Sequence, residues 1–101
     1  MRLYVSGPIT DMPGLNKPMF SSVSARLRNA GHTVINPHEI GEPSEQMLTW
    51  ESYLRADLAF MLTGADALAL LPGWKLSRGA TLEHHVASAL RWEIRHWTDW
   101  L

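Results

Sequence analysis

Between Gly64 and Pro72 the chain runs Ala-Asp-Ala-Leu-Ala-Leu-Leu, and from Asp66 to Leu71 it lacks the alternation of a half-exposed strand. A short run of this kind needs cover on both faces, as inside a parallel sheet flanked by helices. Two other segments fit that plan. Leu3-Tyr4-Val5 is β-prone and stops at Ser6-Gly7-Pro8, and His32 to Ile35 is β-prone and stops at Asn36-Pro37. Between them Phe20, Val23, Leu27 and Ala30 recur at helical spacing. Asn16 stands where a helix is capped, Pro18 falls in the first turn, and Gly31 stands where a helix is closed. Strand, helix and strand within about 36 residues make a βαβ unit, with parallel strands and a right-handed crossover.

The rest of the chain continues the alternation. His38 to Gln46 is polar and irregular, with Gly41 and Pro43, and reads as a covering loop. A second helix is capped by Ser44 or Thr49 and ends at Gly64. Trp50, Leu54, Asp57 and Met61 lie along one stripe, extended by Leu58 and Leu62. A third helix runs from about Gly79 to Leu90, with Leu82, Val86, Ala89 and Leu90 as its core stripe and Glu83 on the shoulder. Trp92 to His96 reads as a fourth strand and Trp97 to Leu101 as a tail. The pattern predicts a small Rossmann-like or flavodoxin-like three-layer α/β fold, with a short parallel sheet of about four strands and helices on both faces. It is read as one domain, 1–101.

Composition excludes several classes. The formal net charge of −1 gives no basic field for a nucleic-acid polymer. The chain has no cysteine, so thiol catalysis, disulfides and Cys-ligated zinc are out. His84 and His85 are adjacent and point to different sides of a helix, and the other histidines are scattered; neither a metal nor a cofactor is expected. No apolar run approaches the ~20 residues of a membrane helix, and the start of the chain does not read as a signal peptide. A cytoplasmic protein without a membrane partner is the expectation. Five tryptophans in so short a chain point to aromatic area in a pocket or a subunit interface.

In a doubly wound sheet ligands bind where the strands end. The strand-end segments here are Ser6-Gly7-Pro8, Asn36-Pro37 and Pro72 to Gly79, the last leading through Ser77-Arg78-Gly79 into a helix N-terminus. Backbone N–H groups collect at such a place and favour anions. Glu83, one turn inside, has an ordinary explanation as a helix-start glutamate. As a nucleophile it would rely on the helix dipole to keep it ionised. Asp57 is either salt-bridged at a helix edge or an acid partly desolvated on a Trp/Leu/Met stripe, which raises its pKa. Two carboxylates in different environments suit acid and nucleophile work at a glycosidic centre.

These residues in order resemble the nucleoside 2-deoxyribosyltransferase-like superfamily, and more closely its small, often phage-encoded domains of the DUF4406 type. The resemblance rests on Tyr4, Ser6-Gly7-Pro8-Ile9, Asn36-Pro37, Asp57, the Ala65-Asp66-Ala67 strand start, and Leu71-Pro72-Gly73-Trp74 through Ser77, Gly79 and Glu83. It implies an N-glycosidase or 2-deoxyribosyltransferase acting on nucleosides or nucleotides. Glu83 would attack C1′ of the sugar and Asp57 would help the base depart. Tyr4, Ser6, Gly7, Pro8, Ile9, Asn36, Trp74, Ser77, Arg78 and Gly79 would hold the substrate. Ser77 stands where transferases acting on free nucleosides tend to have aspartate, which implies a 5′-phosphorylated substrate. The resemblance also implies a homodimer or higher homo-oligomer, with a pocket completed by a neighbour through the tryptophan-rich tail, in the host cytoplasm if phage-encoded. A binding or sensing module for a nucleotide-derived small molecule is the alternative, as is a structural domain with both acids paired.

Overall fold

The computed structural model describes residues 1–40 and 49–101. Strands β1 (Arg2–Ser6), β2 (Thr33–Ile35), β3 (Ala67–Leu70) and β4 (Glu93–His96) form one sheet in the order β2-β1-β3-β4. Every pairing is parallel: Leu3 stands opposite Val34 and Ala67, and Leu68 opposite Ile94. Helices α1 (Lys17–Asn29), α2 (Trp50–Gly64) and α3 (Arg78–Ala89) complete a small Rossmann-like α/β fold. All four residues of β3 are buried, as a continuously apolar strand requires. No helix among the described residues is long and apolar enough to cross a membrane.

The strand order decides where the helices lie. The chain steps one way from β1 to β2, then the other way past β1 to β3 and β4. Right-handed crossovers therefore place α1 on one face of the sheet and α2 and α3 on the other. Two cores result. Leu3, Val5, Phe20, Leu27 and Ala69 pack on the α1 face; Tyr4, Met61, Leu68, Leu70 and Ala87 pack on the other.

One helix covers only the β1–β2 half of its face, which would leave β3 and β4 bare. The 3-10 turn Trp97–Trp100 closes that half, with both tryptophans inside the first core. The Trp100 indole N–H donates to the Leu68 carbonyl (3.1 Å), and His32 Nε2 donates to the Trp100 carbonyl (2.7 Å). The expected tail is thus part of the core layer rather than a free element for a neighbour's pocket.

Several local expectations change. Asn16 precedes α1 but makes no side-chain cap; its backbone is left-handed (φ 58°) and its amide donates to the Pro8 carbonyl (3.0 Å). Thr49 caps α2 in a reciprocal box with Ser52; Ser44 and the rest of the expected loop beyond Ile40 lie outside the described residues. The larger correction concerns α3. Leu82 and Leu90 are 37% and 50% exposed, and the buried face is Ala80, Glu83 and Ala87. Small alanines let the helix approach the sheet closely, and hydroxyls from β1 satisfy the carboxyl between them. Glu83 is therefore central to the buried face, not on its shoulder. Helix α2 buries only Met61 fully, leaving Tyr53, Phe60 and Leu62 exposed.

Candidate functional site

β1 and β3 lie side by side, and their connections leave toward opposite faces. The ends of these strands open a crevice by construction. Gly7 lets β1 exit there: a Cβ on it would fall 2.6 Å from Leu71 Cβ. The crevice is a cleft of about 530 Å³ between the β1 exit, the segment after β2, and the first turns of α2 and α3.

Glu83 enters its floor from α3 and is 5% exposed. The Tyr4 hydroxyl donates to Glu83 Oε2 and the Ser6 hydroxyl to Oε1, each at 2.7 Å. Alternate residues of one strand share a face, so Tyr4 and Ser6 reach the same carboxyl from β1. Burial pushes the Glu83 carboxyl up to about 7; the two hydroxyls oppose that rise and the charge of Asp57 adds to it. The expected dipole-driven ionisation is thus overridden by desolvation. The Tyr4 phenol is raised well above its ordinary range, by burial first and then by the charges of Glu83 and Asp57.

Asp57 lines the same cleft from α2. Among the described residues it makes no side-chain hydrogen bond or ion pair, so the salt-bridge explanation does not hold. Burial alone raises its carboxyl to about 6. One cleft therefore holds two acids that both resist ionisation, and the charge of Asp57 adds to the resistance of Glu83.

The α3 N-terminus forms one end of the site. Ser77 caps the helix by accepting the Ala80 N–H (3.2 Å), which leaves its own hydroxyl proton free to donate. The first N–H groups of α3 have no intrahelical partner. Gly79 lines the cleft, and a Cβ there would meet nothing within 4 Å. No steric demand of the fold requires that glycine. Arg78 does not line the cleft; its guanidinium lies 4.2 Å above the Trp50 ring, and Trp50 is itself a wall.

Of the residues expected from sequence, Gly7, Ile9, Asp57, Ser77, Gly79 and Glu83 share the cleft lining. Tyr4 and Ser6 are fully buried behind it and act through Glu83. Pro8 and Asn36 stand outside the lining; the Asn36 side chain accepts the His38 N–H (3.0 Å) and so sets the 3-10 turn Pro37–Glu39. Trp74 is not a wall either. It stacks on His84 at 4.4 Å and 12° and packs on the α2–α3 core. The aromatic residues of the lining are Trp50 and Tyr53, joined by Leu15, Lys17 and His38. Trp50 was findable, since it shares the stripe of Asp57. Tyr53 lies on the same helix, whereas Leu15 and His38 enter only through the way the segments after β1 and β2 fold back.

Neither curated proteins nor solved structures gave a match to this chain. The family described as a domain of unknown function, DUF4406, matches residues 1–96. That span runs from β1 through β4 and takes in both acids, the two hydroxyls and the glycine-bearing α3 start. The chain belongs to the DUF4406 family.

Proposed function

We propose that this cleft cleaves or exchanges the N-glycosidic bond of a 5′-phosphorylated nucleoside. The observation that carries the reading is the buried Glu83 carboxyl, held at both oxygens by Tyr4 and Ser6 in a cleft shared with Asp57. The resemblance to the nucleoside 2-deoxyribosyltransferase-like superfamily supports the same assignment. In the proposed first step an ionised Glu83 oxygen bonds to C1′ while the bond from C1′ to the base nitrogen breaks. Asp57 delivers its proton to the departing base. Water or a second base then attacks C1′, giving its proton to the Asp57 carboxylate as the ester bond breaks, which returns ionised Glu83 and protonated Asp57. The hydroxyls fix the carboxyl's orientation, which favours in-line attack. Ser77, the α3 N–H groups and the open space at Gly79 suit a phosphate. Arg78, unpaired with any carboxylate among the described residues, adds positive charge nearby.

With acids near 6 and 7, the pair titrates together. In the singly protonated pair the proton rests mainly on the more basic Glu83; the reactive form, with it on Asp57, is a minor share that rises and falls with the same species, so kcat/KM should follow a narrow bell around neutral pH. The direct test is release of free base from the four 2′-deoxynucleoside 5′-monophosphates. Wild type should release base and Glu83→Ala should not; equal release by both would remove Glu83 as nucleophile. A second reading, a binding module for the same ligands, is favoured by the engagement of both Glu83 oxygens. Tight nucleotide binding without base release would establish it. The exposed Tyr53 and Phe60, two turns apart on one side of α2, fit a homo-oligomer contact beside the cleft, checked by sedimentation.

A further inference from the structure

His38 lines the cleft, and its imidazole is held in one orientation by two contacts. Nε2 lies 2.9 Å from the Leu15 carbonyl, which can only accept, so Nε2 carries the proton. The ring meets Phe20 edge-on, centroids 4.9 Å apart. Its backbone is set by the Asn36 side chain. Nδ1 is then a lone-pair acceptor. It has no hydrogen-bond partner among the described residues, and the ring that carries it lines the cleft. Partial burial, with Lys17 nearby, lowers the imidazole pKa and keeps the ring neutral at neutral pH.

Topology sets where this acceptor stands. His38 follows β2, whereas Ser77 and Gly79 follow β3, and β1 lies between the two strands. Neighbouring strands are about 4.8 Å apart, so the two ends of the cleft are separated by roughly 10 Å. Between them run the β1 exit and Glu83, which bonds two residues of β1. A nucleotide laid across the strand ends, phosphate at α3, brings its base to the β2 side. There Leu15, whose carbonyl bonds the imidazole, offers an apolar wall and His38 offers the polar atom.

We propose that His38 is the base-reading residue of the site: its Nδ1 accepts a hydrogen bond from an N–H group on the edge of the nucleobase. This rests on the nucleotide reading above. A fixed acceptor selects a ligand with a donor at that position and rejects one whose donor is replaced or methylated, because the displaced group leaves a polar atom unpaired. The ring also ties the Leu15 backbone to the β2 side, so a purely structural role has to be separated from recognition.

Two substitutions separate them. His38→Gln keeps an N–H near the Nε2 position for the Leu15 carbonyl and loses the acceptor. His38→Asn keeps an acceptor near the Nδ1 position and loses the tie. Binding of the four 2′-deoxynucleoside 5′-monophosphates is measured by calorimetry on a Glu83→Gln background, which suppresses turnover. The tightest ligand is then compared with its analogue methylated at the base N–H. His38→Gln should weaken the parent nucleotide by about tenfold, leave the methylated analogue unchanged, and so abolish the discrimination between them. His38→Asn should retain most of it. Equal discrimination in His38→Gln and wild-type histidine, or its loss only in His38→Asn, overturns the inference while leaving the nucleotide reading intact. Binding of none of the four by the protein with His38 intact overturns both.

Discussion

Glu83→Gln tests the buried carboxyl most directly. In wild type, burial raises this group from 4.5 to about 7. The native state therefore binds the proton more tightly than the unfolded chain, and its stability falls as pH rises between those values. A shift of this size corresponds to about 3 kcal/mol over the full range. The benefit is complete below the unfolded value and gone above the folded one. Between pH near 5.5 and pH near 8, the part that changes is about 2 kcal/mol. Glutamine keeps the shape and can still bond both hydroxyls, but it does not titrate. Urea unfolding of both proteins at the two pH values gives the needed difference, with the slopes checked for equality. Glu83→Gln should gain about 2 kcal/mol relative to wild type on going to the higher pH. Repeating the pair on an Asp57→Asn background removes the repulsion between the acids and should shrink the gain. A stability difference that does not change with pH would refute the reasoning. It would mean that the Tyr4 and Ser6 hydrogen bonds outweigh desolvation and hold Glu83 ionised throughout.

Three other outcomes are expected. Gly79→Ala should raise stability by about 0.5–1 kcal/mol, because its Cβ meets nothing, and should weaken nucleotide binding by filling space at the proposed phosphate end; thermal unfolding and calorimetry check the two halves. Gly7→Ala should destabilise by about 1–3 kcal/mol, since the new Cβ overlaps Leu71 Cβ and both lie on backbone that cannot swing away; denaturant midpoints decide it. Trp100→Phe should cost about 0.5–1.5 kcal/mol by removing the indole hydrogen bond to the Leu68 carbonyl, and the same measurement applies.

Local order was legible in the sequence because its causes are local. The apolar Asp66–Leu71 run, the turn residues after each strand and the helical recurrence of Phe20, Val23 and Leu27 determine a parallel sheet with helices on both faces. They also place Gly7, Ser77, Gly79 and Glu83 at strand ends, and Asp57 on the helix between. Which side of α3 faces inward was decided only by the tertiary structure. Periodicity favours Leu82 and Leu90, yet Glu83 is buried because Tyr4 and Ser6, 79 and 77 residues away, complete its hydrogen bonds. A carboxyl can be central to a packed face only when such partners exist, and nothing within one helix announces them. The same holds for the tail. Trp97 and Trp100 belong to the core because the strand order leaves half of one sheet face without a helix. His38 became a candidate only once Leu15 was seen to fix its tautomer. Short-range patterns thus determine the elements and the strand ends. Long-range satisfaction of polar groups and the coverage of sheet faces decide which of the residues there form a site.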